Sequence, residues 1–163
     1  MNIIISGAKH FGKTTVAQKL VEKLKQNNIL VGGILCIGDD ITDIMSGETK
    51  RFLYHTEVPD SQHIGPHYIK NSVIRFAEKA TRKAVSKGAY AFIDEYGKLE
   101  LRGRGFDNIT QESLPSEKCI IVIRNINVLD FIEKFNTYEF KVFELNQKNR
   151  NNLHEEVFRY IKL

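Results

Sequence analysis

Gly7-Ala8-Lys9-His10-Phe11-Gly12-Lys13-Thr14-Thr15 is the stretch from which the rest of this chain can be read. It follows Ile3-Ile4-Ile5, an apolar, β-branched run of the kind that forms a buried strand. It leads into Thr14–Asn27, where Ala17, Leu20, Val21 and Leu24 recur at i, i+3, i+4 and i+7, the stripe of an amphipathic helix. A G-x-x-x-x-G-K-[ST] pattern between a strand and a helix is the context in which the backbone cradles phosphate.

The chemistry requires these residue types in this order. Gly7 and Gly12 let the chain turn tightly and bring its N–H groups against an anion with no side chain in the way. The following helix points its unpaired N–H groups and positive dipole end at the same place. Lys13 supplies a mobile point charge for the β- and γ-phosphates, and the Thr14 hydroxyl is a ligand for Mg²⁺. Ala8, Lys9, His10 and Phe11 complete the nucleotide-binding stretch, with Lys9 and His10 expected to offer backbone rather than side-chain contacts. Thr15 either joins the cradle or only packs and caps the helix.

Composition bounds the class. A length of 163 residues predicts one domain, 1–163, with a substantial core. A hydrophobic content of 42% and a charged content of 27% are those of an ordinary globular protein. The net charge of +4 is mild and the basic residues are dispersed, which suits a polyanionic ligand but is weak evidence for nucleic acid. Cys36 and Cys119 stand alone in apolar runs, the pattern of buried thiols in a reducing compartment. Met1–Ser6 is too short for a signal peptide, and no apolar stretch reaches the length of a membrane span. The expectation is a cytoplasmic protein without a membrane partner.

Strands and helices then alternate. Leu30–Ile37 reads as a second buried strand, whose paired Gly32-Gly33 marks a bulge or a close backbone approach. Asp39–Met45 and Lys50–His55, flanking Ser46-Gly47-Glu48, predict an antiparallel hairpin at one edge of the sheet. His55–His67, with Pro59, Gly65 and Pro66, reads as an irregular loop over the active-site side. Its His63 and His67 cannot share a helical face across Gly65-Pro66, so a metal site is not expected there; Arg51 and His55 are left open as nucleotide contacts. Asn71–Lys87 predicts a helix on Val73, Ala77, Ala80 and Ala84, stopped by Gly88. Ala89–Glu95 is a strand, and Leu101–Pro115 a polar connection with at most one short helix. Cys119–Ile123 is another strand, Asn127 caps a helix on Val128, Phe131, Ile132 and Phe135, and Phe140–Leu145 and Asn151–Leu163 close the chain. The fold class expected is α/β, three layers around a mainly parallel sheet.

The strand 89–95 ends in two acids, the second half of a phosphate site. Asp94 is expected beside the phosphate loop, holding Mg²⁺ directly or through water. Glu95 alternates in direction along the strand and is the candidate to polarise a water for attack on phosphorus. Arg124 ends the next strand at the rim where open α/β sheets bind ligands, and is either a charge stabiliser or a surface ion-pair partner. The same two readings apply to Lys98, Arg102 and Arg104.

GAKHFGKTT, VGGIL and IDEYGKLEL together resemble the small P-loop nucleoside-triphosphatases first described from thermophiles, a family with a human cancer-related member. The family's third stretch usually reads I-D-E-I-G-K-M-E-L, and DIMSGE before Arg51 and VIR ending at Arg124 also fit in order and spacing. The resemblance implies a Rossmann-like P-loop fold and slow hydrolysis of ATP, GTP and other nucleoside triphosphates to the diphosphate and phosphate. It carries nucleotide binding onto Gly7, Gly12, Lys13 and Thr14, and onto Asp94, Glu95, Gly97 and Lys98. The departures are His10-Phe11 in place of small residues, Tyr96 in place of an aliphatic one, and a short connection after Glu100. The alternatives are a nucleotide or small-molecule kinase, with Arg102-Gly103-Arg104 in a closing lid, and a nucleotide-dependent binding module.

Overall fold

The computed structural model describes residues 1–163. Its first strand, β1 (Asn2–Gly7), is buried along its whole length, with Ile3, Ile4 and Ile5 fully covered. Each such isoleucine contributes about 1.5–3 kcal/mol of burial, which is why a strand this short holds its place. The chain continues through α1 (Lys13–Gln26), β2 (Val31–Ile37), β3 (Asp40–Asp43), β4 (Thr49–Arg51), β5 (Ser61–Ile64) and β6 (His67–Lys70). Then come α2 (Asn71–Ser86), β7 (Tyr90–Tyr96), α3 (Lys98–Leu101), α4 (Asp107–Ser113), β8 (Cys119–Arg124), α5 (Val128–Lys134), β9 (Phe140–Glu144) and α6 (Leu153–Lys162).

Seven strands form one sheet in the order β4-β3-β2-β7-β8-β1-β9. The β2–β7, β7–β8, β8–β1 and β1–β9 pairs are parallel, and β3 and β4 add the expected antiparallel edge hairpin. Side-chain alternation divides the core into two layers. Ile3, Ile5, Phe92, Ile120 and Val122 pack under α1 and α6, against Leu20, Leu24, Leu153 and Val157. Ile4, Ile93, Ile121 and Ile123 face the other way, against Val73 and Ala77 of α2, Ile109 of α4 and Phe131 of α5. The expected three-layer α/β architecture is the one observed. Glycine is obligatory at Gly33: φ is +85°, and a Cβ there would lie 2.2 Å from the Phe92 carbonyl oxygen.

Three local expectations are corrected. The segment 55–67 is not wholly irregular, because β5 and β6 pair as a separate two-stranded sheet around Gly65-Pro66. Ile69, almost fully covered, anchors that hairpin in the α2 layer, and Tyr54 and Tyr68 exchange two backbone hydrogen bonds of 2.9 Å beside it. The connection after Glu100 holds two short helices, α3 and α4, and a 3₁₀ turn at Leu114–Ser116 rather than at most one helix. Asn127 does precede α5, but it is buried and its side chain makes no capping hydrogen bond. No helix is long and apolar enough to cross a membrane.

Gly33→Ala combines backbone strain of about 1–3 kcal/mol with a collision against the β7 backbone. Urea unfolding is expected to show a loss of roughly 3 kcal/mol or more, and a midpoint within error of the parent protein would contradict this packing.

Candidate functional site

Because β1 lies between β8 and the edge strand β9 and runs parallel to both, its carboxyl end opens onto the rim where crossovers leave a crevice. The chain turns there through residues 8–12. Its turn holds two left-handed residues, His10 (φ 59°) and Gly12 (φ 99°), the alternation that points successive N–H groups into one concavity. Gly12 is also the N-cap of α1, with no capping side chain and no acid in the first turn. The helix terminus therefore keeps its unpaired N–H groups and positive end facing the loop. Lys13 lies back across the turn and donates from Nζ to the Ala8 carbonyl at 2.8 Å.

Asp94 meets this loop from the end of β7. It is 1% exposed, and it accepts hydrogen bonds from the Thr14 hydroxyl (3.2 Å), the Cys36 N–H (3.0 Å) and the Glu95 N–H (2.9 Å). Burial and then the neighbouring Glu95 charge push its pKa up to about 7, against the pull of the three donors. A carboxylate so placed gains most from a cation beside it. A hydroxyl and a carboxylate oxygen side by side are hard oxygen donors suited to Mg²⁺, which takes its remaining positions from phosphate and water. The donor set therefore fits that ion. Cys36 was not among the expected site residues, since its contribution is a backbone N–H that any residue would supply.

Glu95 is placed by a defect in the strand. Between the pairs Ile93↔Ile121 and Tyr96↔Ile123, β7 has two residues where β8 has one, a β-bulge. Glu95 takes the left-handed conformation at φ 62°. Ile93 and Tyr96, three residues apart, consequently lie in the same core layer, which regular alternation forbids. The expected simple alternation of Asp94 and Glu95 is therefore replaced by a bulge that leaves Glu95 exposed at the rim. Burial lowers the Lys13 pKa, and Glu95 is the strongest charge opposing that shift, ahead of Asp94. Both acids thus lie near enough for their charge to act on the lysine.

Arg124 joins them. Its Cα pairs with that of Gly7 across β8 and β1, and its charge also lowers the Lys13 pKa. The remaining candidates are more peripheral. Thr15, Lys98, Arg102 and Arg104 are exposed, and the Gly97 N–H is bonded to Glu100 Oε2 at 2.9 Å. Phe11 packs against the layer beneath α1 and α6, with the Arg150 guanidinium 5.9 Å from its ring centre. Arg51 and His55 both turn to Asp39, at 2.8 and 2.9 Å. His63 stacks on Tyr68 and His67 packs on His55, so the two histidines have different neighbours.

The sequence pattern of the family described as NTPase matches residues 2–158. This chain belongs to the NTPase family. Among its relatives, the nucleoside-triphosphatase THEP1 of Thermotoga maritima is 31% identical over 173 residues, covering 99% of this chain and 96% of the relative. THEP1 of Methanocaldococcus jannaschii is 28% identical, covering 99% and 97%. In three dimensions the NTPase fold superposes on a human cancer-related nucleoside triphosphatase with a TM-score of 0.77, at 22% identity over 99% of this chain and 97% of that one. THEP1 from Aquifex aeolicus gives 0.76, at 22% identity over all of both chains. The family resemblance read from the three motifs is correct, and two of the residues that depart from it in this NTPase have structural partners: Phe11 in the α1 layer, Tyr96 in the α5 layer.

Left-handed backbone costs a residue with a Cβ about 1–2 kcal/mol, and glycine's extra freedom in the unfolded chain costs about 0.4–1. Glu95→Gly is therefore expected to leave the urea midpoint at or slightly above that of the parent protein. A stability loss above about 1 kcal/mol would show that Glu95 is unstrained.

Proposed function

We propose that this protein hydrolyses nucleoside triphosphates, ATP and GTP among them, to the diphosphate and phosphate in the crevice between the phosphate loop and the end of β7. The observation that carries the reading is the 3.2 Å hydrogen bond from the Thr14 hydroxyl to the buried Asp94 carboxylate at the mouth of the glycine loop. The names of the relatives, nucleoside-triphosphatases, support it.

In this reading the N–H groups of residues 8–15 grip the phosphate chain, and Lys13 exchanges its bond to the Ala8 carbonyl for the β- and γ-phosphate oxygens. Thr14 and Asp94 would hold Mg²⁺, which would supply charge neutralisation on the phosphate oxygens. Glu95 accepts a proton from a water as that water's oxygen attacks the γ-phosphorus. The bond from phosphorus to the bridging oxygen breaks, and the electron pair leaves with the diphosphate. Arg124 and Lys13 stabilise the charge that develops on the oxygens, the kind of contribution worth roughly 3 kcal/mol per donor in other enzymes. The two free, buried thiols, Cys36 and Cys119, fit a reducing compartment such as the cytoplasm.

Phosphate release from a panel of triphosphates tests the assignment. Lys13→Ala and removal of Mg²⁺ with a chelator are each expected to lower turnover by at least about 100-fold. Glu95→Gln is expected to lower kcat by about 10²–10⁴-fold with nucleotide affinity kept. Faster labelled-phosphate transfer to an added nucleoside or nucleotide than to water would make the protein a kinase instead.

A further inference from the structure

Tyr96 is the larger of two departures from the family's I-D-E-I-G-K-M-E-L pattern, Leu99 for Met being the other, and it is the residue directly after the proposed base. The bulge at Asp94–Glu95 turns it into the α5 layer, where it is 1% exposed. Its ring stands edge-on to Phe131, 4.8 Å between centres, and 6.4 Å from Phe135. Its hydroxyl donates to Asp107 Oδ1 at 2.7 Å, a bond no aliphatic residue can make. Asp107, 2% exposed at the start of α4, is held in turn by Lys134 Nζ at 2.7 Å and Gln111 Nε2 at 2.7 Å. Lys134 also donates to the Glu100 carbonyl at 3.0 Å, so α5 grips both α3 and the start of α4.

The contrast with Glu95 is what makes this arrangement more than core packing. Glu95 sits in a left-handed conformation that its own side chain does nothing to stabilise, with its carboxylate exposed. On one side its backbone is fixed by the bond from its N–H to Asp94. On the other, Tyr96 is tied to Asp107 and Gly97 to Glu100, both buried carboxylates. A strained residue persists only where its surroundings over-determine it. Here the surroundings are those anchors, and Tyr96 is the nearest of them after the acid.

We infer that Tyr96 is a positioning residue: through its hydrogen bond to the Asp107–Lys134 pair it holds the bulge that aims Glu95 at the phosphate loop. The inference rests on the reading of Glu95 as the base. Tyr96 touches neither phosphate nor water, and its effect on turnover passes entirely through Glu95.

Tyr96→Phe isolates the hydroxyl. The ring keeps its aromatic neighbours, and Asp107 keeps Lys134 and Gln111, so no buried donor is orphaned and the fold survives, as circular dichroism and the melting curve will record. The expected result is a roughly tenfold fall in kcat at unchanged KM, with unchanged affinity for a non-hydrolysable triphosphate. In a Glu95→Gln background, itself slow, the same substitution is expected to produce no further fall, the non-additivity of two residues acting as one unit. If Glu95→Gln is slow but Tyr96→Phe is as fast as the parent, the positioning role is wrong and the base assignment stands. Equal losses from Tyr96→Phe in both backgrounds also overturn the inference, because the hydroxyl then acts elsewhere. Full turnover by Glu95→Gln removes the base and the positioning role together.

Discussion

A single buried carboxylate joins the parts of this molecule that matter for its chemistry. Asp94 belongs to β7, takes the hydroxyl hydrogen of Thr14 from α1, and takes the N–H of Cys36 from β2. Those three elements come from separate crossovers of the sheet, and their meeting point lies directly under the phosphate loop. Charge at that depth is costly, as the upward shift of its pKa to about 7 records. Three hydrogen bonds from fixed donors offset only part of that cost. The remainder is the electrostatic basis of the proposed metal site: a cation beside this carboxylate would relieve the cost of its burial.

The second constraint is the bulge. Regular β7 would send Asp94 and Glu95 to opposite faces and Tyr96 under α1. Two residues against one on β8, with Glu95 left-handed, instead put Tyr96 in the α5 layer and leave Glu95 exposed at the rim, where its charge acts on Lys13. Local strain of a kcal/mol or two is small beside the burial of Tyr96 and its neighbours, so the core dictates and the strand yields. Precision at the rim is thus supplied from below, by packing between β7, α4 and α5.

Legibility in the sequence followed the range of the interactions. The glycine-bounded turn and its flanking strand and helix were readable because each depends on neighbours within a few residues: Gly12 in a left-handed turn, Leu20 and Leu24 on one helical stripe. The hairpin β5–β6 was not, because prolines and histidines mask the one deeply buried residue, Ile69, that anchors it. The partner of Arg51 and His55 was equally hidden, since Asp39 looked like the start of a hairpin and nothing more.

By itself the sequence determined the three-layer α/β class, the family and the glycine-bounded turn between strand and helix, because periodicity, glycine placement and a motif of fixed spacing are local quantities. Only the tertiary structure decided how the acids point, that Cys36 lends its N–H, and that Tyr96 reaches Asp107 and through it Lys134. Those outcomes depend on which strand lies beside which and on one extra residue in a ladder. Such register is settled by competing burial across the whole core, and no short window of residues contains it.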